Sequence, residues 1–173
     1  MATMKKRKHL WRNILDTSKD SVLGLDISTS ITGATIIQNG KIVNSIYWDT
    51  RNKNRFPSIY HKARHIKDCL QEIKASYSVK DIFIEQSLHS FRSGFSSAQT
   101  LSTLSRFNGI VSWLCSDIFS IEPQMIAATS ARKQAGVGIK RGDNAKEKVL
   151  QFIIDKYPDI DIQYTKHGNP KPG

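Results

Sequence analysis

Val22-Leu23-Gly24-Leu25-Asp26-Ile27-Ser28-Thr29-Ser30-Ile31-Thr32-Gly33-Ala34-Thr35-Ile36-Ile37 is the stretch on which the reading of the whole chain turns. Apolar residues run up to a single acid, a small-residue turn follows, and a second apolar, β-branched run begins. A carboxylate on a strand that should be buried is costly unless something compensates, and a metal ion is the usual compensation. Asp26 is therefore the candidate anchor of a divalent-cation site at the heart of an α/β sheet. The plainer alternative is an exposed strand end at which Asp26 caps a turn.

Outward from this stretch, the pattern predicts strands over Val22–Ser28 and Thr32–Gln38. Asn39-Gly40 is a two-residue hairpin signal. Alternation of Ile42, Asn44, Ile46 and Trp48 against Val43, Ser45 and Tyr47 then gives a third strand, Lys41–Thr50. A β-meander thus opens the fold. After a basic linker, Ile59, Ala63, Ile66, Leu70 and Ile73 recur at helical spacing, predicting an amphipathic helix that ends near Ser76. Val79–Glu85 reads as a short, central strand. Gln86–Phe95 is a polar and aromatic loop, and Ser96-Ser97-Ala98-Gln99 has the form of a capping box for the next helix. A fifth strand is expected at Ile118–Glu122, with Pro123 at the first position of a helix that stops near Gly136. Asp143 or Asn144 caps a last helix bearing Val149, Leu150, Ile153, Ile154 and Tyr157. The sum is an α/β fold with a five-stranded mixed sheet, three strands in an antiparallel meander plus two parallel strands, flanked by helices.

The length suits one domain, residues 21–173, preceded by a basic arm at residues 1–20. No run is long and apolar enough to span a membrane, so no membrane partner is expected. The formal charge of +11 is the strongest compositional signal and favours a polyanionic partner, nucleic acid first. It is clustered: Lys5-Lys6-Arg7-Lys8 with His9 and Arg12; Arg51, Lys53, Arg55, Lys62, Arg64 and Lys67; and Arg132, Lys133, Lys140, Arg141, Lys146 and Lys148. One such cluster is ordinarily a solvated face, but three with few acids among them point to DNA or RNA. Cys69 and Cys115 lack metal-type or redox-type spacing and read as reduced core thiols of an intracellular protein.

Glu85 ends the fourth predicted strand as Asp26 interrupts the first. On neighbouring strands the two carboxylates reach one point, and hard oxygen ligands of this kind suit Mg²⁺ or Mn²⁺. Two such ions, roughly 3.5–4 Å apart, activate water and stabilise a leaving oxygen in phosphodiester cleavage. Taken singly, Glu85 is equally a surface strand terminus.

Several motifs in order carry a resemblance. Gly24-Leu25-Asp26-Ile27-Ser28 with Thr32-Gly33 is similar to the opening strand of ribonuclease H-like nucleases, and Ile84-Glu85-Gln86 resembles the second acidic motif of the RuvC family of Holliday junction resolvases. Arg106-Phe107-Asn108-Gly109-Ile110-Val111 is similar to that family's Arg-Gly-containing helix. Lys133-Gln134 before Gly136 and Gly138, and then Lys146-Glu147-Lys148-Val149, extend the likeness over about Val22 to Lys156.

The resemblance implies a ribonuclease H-like fold, a homodimer on a four-way DNA junction, and symmetric paired nicks made with Mg²⁺ or Mn²⁺ by Asp26, Glu85 and a further acid. It implies phosphate contacts by Lys133 and Lys146, with Lys140 and Arg141 of the same cluster and Arg92 of the polar loop as further DNA-binding candidates. Phe91 is the candidate junction wedge, ahead of Phe95 and Leu88, and is equally a core contact beneath the loop. The helix from Ser96 to Cys115 would supply the dimer face, through Phe107 or Trp113. An intracellular setting follows, cytoplasmic or nucleoid-associated in a bacterial or phage-infected cell, or organellar.

One departure stands against the pattern. The family completes its site with aspartates on a helix after a Pro-containing loop, whereas here the loop Gly168-Asn169-Pro170-Lys171-Pro172 is followed only by Gly173. The expectation is a truncated form that binds branched DNA and cleaves it poorly, with Asp159 or Asp161 as the third ligand should cleavage prove efficient. Two other classes share the opening motif or the fold: a non-catalytic branched-DNA-binding module, and a sugar-kinase or actin-like ATPase, against which length and charge argue.

Overall fold

The computed structural model describes residues 19–86, 98–160, 162 and 164. The opening meander is β1 (Asp20–Asp26), β2 (Ile31–Gln38) and β3 (Lys41–Asp49). Asn39 and Gly40 both take positive φ, 50° and 73°, the geometry of a tight hairpin turn whose twist matches the flanking strands. Helix α1 (Ile59–Ser76) starts where the Ser58 side chain accepts from the His61 N–H. Strand β4 (Ser78–Glu85), helix α2 (Ala98–Phe119), strand β5 (Gln124–Ile126), and helices α3 (Ala128–Ala135) and α4 (Ala145–Lys156) complete the order.

The sheet runs β3-β2-β1-β4-β5. Strand β1 pairs antiparallel with β2, and β2 antiparallel with β3. Strand β4 lies parallel to β1, and β5 parallel to β4. This is the expected meander with two parallel strands added on its inner side. Consequently β1, β3, β4 and β5 all end at one edge, the carboxyl edge, where open α/β sheets bind ligands.

Alternation along the strands divides the sheet into two faces. Leu23, Leu25, Ala34, Ile36, Ile82 and Ile84 point to the buried one, covered by Ala63, Ile66, Leu70 and Ile73 of α1 and by Phe107, Val111, Leu114, Cys115 and Ile118 of α2. The Lys74 ammonium donates to the Ile118 carbonyl and ties the two helices near their C-terminal ends. The opposite face carries Val22, Gly24, Asp26, Gly33, Thr35, Phe83 and Glu85.

Two expectations are corrected. No strand forms over Ile118–Glu122: α2 continues through Phe119, because Ile118 extends the buried helical series of Val111, Leu114 and Cys115. A short apolar run is ambiguous in periodicity, and packing against α1 resolves it as helix. Ser120, at φ 58°, follows the helix end. Pro123 does not open a helix either. It precedes the three-residue β5, and α3 begins only at Ala128. The predicted stop of α3 does hold, since Gly136 takes φ 83° and its N–H closes the helix on the Arg132 and Lys133 carbonyls, as a left-handed cap requires.

Phe107 is wholly buried, whereas Trp113 is 63% exposed, so of the two aromatics considered for a dimer face only Trp113 is available. Cys115 is buried and Cys69 half-buried. Burial pushes both thiols up to about 12, so neither supplies a thiolate at neutral pH. No described helix is long and apolar enough to cross a membrane.

Candidate metal centre and nucleic-acid interface

Asp26 is the last residue of β1 and Glu85 the last of β4. Leu25 is in register with Ile84, so the two acids extend that pairing by one step and emerge side by side on the open face. Their proximity shows electrostatically. Burial raises the Glu85 carboxyl above its ordinary value, and the Asp26 carboxylate raises it further. Burial likewise raises Asp26. Each acid also has a cation opposing the rise: Lys146 in the first turn of α4 acts on Asp26, and Arg132 on α3 acts on Glu85.

The backbone under each acid is held. After Asp26 the small-residue turn is clamped from several sides. The Thr32 hydroxyl donates to the Ser28 carbonyl at 3.2 Å, and the Ser28 hydroxyl accepts from the Ser30 N–H at 3.2 Å. The Thr50 hydroxyl donates to the Thr29 and Ser30 carbonyls, each at 3.2 Å. The Lys62 ammonium reaches across from α1 to the Thr29 carbonyl. Thr32 and Thr50 are both buried. On the other strand, the Gln86 N–H donates to the Ile126 carbonyl at 2.9 Å, and the buried Asn108 amide approaches the Glu85 carbonyl at 3.5 Å. Both acids are thus presented by fixed strand ends, as a site of defined geometry needs.

Lys146, a candidate phosphate contact, lies near enough to Asp26 to act on it electrostatically. Lys133 lies exposed in the last turn of α3, and its neighbour Arg132 is the residue that acts on Glu85. Arg132 belongs to the third basic cluster of the sequence, but composition does not say which member of that cluster reaches an acid. Lys140 and Arg141 are exposed on the turn before α4, with the Lys140 N–H bonded to the Asp143 carboxylate at 2.9 Å. Phe91, Arg92, Phe95, Leu88 and Asp161 lie outside the described residues, and Asp159 is exposed. Thr50, Lys62 and Asn108 support the site and carry no local sequence signal for doing so. In the second basic cluster, Arg51 is engaged by Asp49 at 2.6 Å, and its hydrogen bonds hold the Asp49 carboxyl down to about 2. Among the described residues, no group of three or more His, Cys, Asp or Glu side chains could hold a metal ion together.

The chain shares its fold with solved structures of RuvC. One, T. thermophilus RuvC in complex with Holliday junction substrate, superposes with a TM-score of 0.63 over 85% of this chain and 84% of that one, at 12% sequence identity. A second Thermus thermophilus RuvC structure gives 0.60 over 85% and 86%, at 11% identity. The sequence matches no family model and no curated protein. At such identity the likeness speaks to architecture, and the architecture is ribonuclease H-like, of the RuvC type.

Proposed function

We propose that this protein is a divalent-metal-dependent endonuclease acting on branched DNA, four-way junctions above all, by hydrolysing a phosphodiester at the Asp26–Glu85 pair. The observation that carries the reading is the pair itself. Two carboxylates on adjacent parallel strand ends, both pushed up by burial and one raised further by the other, form a local excess of negative charge that a divalent cation relieves. The donor set fits Mg²⁺ or Mn²⁺. Mg²⁺ is typically held by one or two carboxylates, with waters and substrate phosphate oxygens completing its shell. When bound, the ion would supply an activated water and stabilisation of the leaving oxygen. The chain's own groups do the positioning: Lys146 and Arg132 flank the acids and hold a phosphate over them. Lys133, Lys140, Arg141 and Arg92 would contact the DNA, and Phe91 would wedge into the junction centre. Two copies joined through the α2 face that exposes Trp113 would place two such sites on one junction, giving paired nicks.

The test is a gel assay on a labelled four-way junction, with Mg²⁺ or with chelator. Metal-dependent nicks, lost by more than about a hundredfold in Asp26→Asn and in Glu85→Gln, support the reading. Nicking that survives both substitutions overturns it.

A second reading has one observation in its favour, the absence of a third metal-binding side chain beside the pair among the described residues. Under it the chain is a branched-DNA-binding module of the same fold, and the same assay returns tight binding with no metal-dependent product.

A further inference from the structure

Next to the acid pair lies a cleft of a different chemistry. It is an open cavity of about 370 Å³ between β4, β5 and α3, a volume within the range of small-ligand sites. Its walls include Gln86, Gln124 and Gln134 and the hydroxyl of Ser130, over an apolar floor that includes Phe83 and Ile126. Among the described residues, no charged side chain lines it. Gln124, Ser130 and Gln134 carry no side-chain hydrogen bond among the described residues. Ser130 and Gln134 are four residues apart on α3 and so share a helix face.

Such a cleft selects against ions and against plain hydrocarbon. Amides and a hydroxyl present both donors and acceptors, and an aromatic floor favours a flat partner. The ligand class that combines a flat π-face with an amide-like edge and no charge is a nucleobase.

Position makes the same case. Phe83 is in register with Gln124 and Glu85 with Ile126. All four lie on the open face, and Glu85 adjoins two cleft residues, Gln86 in the chain and Ile126 across the sheet. One pair of residues along a strand spans about 7 Å, so a nucleotide whose phosphate rests at the acids can turn its own base, or its neighbour's, into the cleft. A stacked, paired base cannot do this. A base at a branch point is already partly unstacked, which lowers the cost of taking it out.

We propose that the cleft takes one unpaired nucleobase of the bound DNA, adenine in preference, and so gives the site a sequence preference at one position. Adenine is favoured because a glutamine amide pairs in bidentate fashion with its N6 and N7. The inference rests on the function proposed above, since a base reaches the cleft only if DNA occupies the acid pair.

The experiment uses the whole chain and four-way junctions carrying a single abasic site, walked through each position flanking the exchange point. Affinity is read by anisotropy, and 2-aminopurine placed at the same positions reports unstacking by fluorescence. One position should stand out, with about tenfold weaker binding when abasic, a fluorescence change on binding, and a preference for adenine over the other bases. The double variant Gln124→Ala, Gln134→Ala should show the same loss on the intact junction, and the abasic site should then cost nothing more. Equal affinity at every position, or an unaltered position dependence in the double variant, overturns the cleft's role while leaving junction binding standing. Failure of the unsubstituted chain to bind any junction overturns the proposed function, and this inference with it.

Discussion

Asp26 and Glu85 hold their protons more tightly in the fold than in the unfolded chain, because burial disfavours the charged carboxylate and the two acids repel. With folded values raised, the pair's contribution to metal-free stability is most favourable below the ordinary carboxylate range, and declines as pH rises through the raised values. Without metal, the melting temperature of the unsubstituted protein should therefore fall relative to those of Asp26→Asn and Glu85→Gln as pH rises from about 4 towards neutrality. Added Mg²⁺ or Mn²⁺ should restore it in the unsubstituted protein alone. Thermal scans with and without chelator measure this, and equal pH slopes in all three proteins would contradict it. Lys146 lowers the Asp26 value, so Lys146→Ala should move the pH midpoint of Mn²⁺ binding upward, which isothermal titration across pH resolves. A midpoint that stays put would remove Lys146 from the site. Both acids were legible in the sequence because an acid at the end of an apolar run is a local anomaly. Thr50, Lys62 and Asn108 were not, because their roles depend on which backbone lies opposite them.

Among the elements, α4 shows how a helix start serves the site. The Asn144 side chain accepts from the Lys146 and Glu147 N–H groups, and its own amide donates to the Glu147 carboxylate at 2.7 Å. That cap sets the first turn from which Lys146 acts on Asp26. Asn144→Ala should lower the unfolding free energy by about 1 kcal/mol, while Asn144→Ser, which keeps a capping oxygen and sets no charge against the Glu147 carboxylate, should cost less. Urea denaturation reads both. The helix starts of α1 and α4 were readable from Ser58 and Asn144, and the end of α3 from Gly136, because capping chemistry is confined to a few adjacent residues. The end of α2 and the start of α3 were not. Ile118 has the same apolar character in a strand or a helix, and its burial beside Leu114 and Cys115 is what makes it helical.

On the scale of the whole molecule, charge and topology act together. The net charge of +11 is only partly spent within the chain, as at Arg51 with Asp49, and the carboxyl edge gathers Lys146 and Arg132 around the acids. If four to six phosphates are neutralised on binding, junction affinity should drop about 10²–10³-fold between 50 and 200 mM salt. Anisotropy titrations test this, and a nearly flat salt response would rule out phosphate contacts as the main source of affinity. Trp113→Ala should shift the sedimentation equilibrium towards monomer if α2 forms the face between two copies, and an unchanged distribution would place that face elsewhere. By itself the sequence determined the meander, the helices at 3.6-residue spacing, the two strand-end acids and a charge balance that favours a polyanionic partner, since each follows from local periodicity, local chemistry or composition. Only the tertiary structure decided that β4 lies against β1 rather than elsewhere in the sheet, and hence that Asp26 meets Glu85. It also decided that Arg132 acts on Glu85, and that an amide-lined cleft opens beside the pair. Those outcomes depend on which distant segments share a core, and no short window of sequence encodes that.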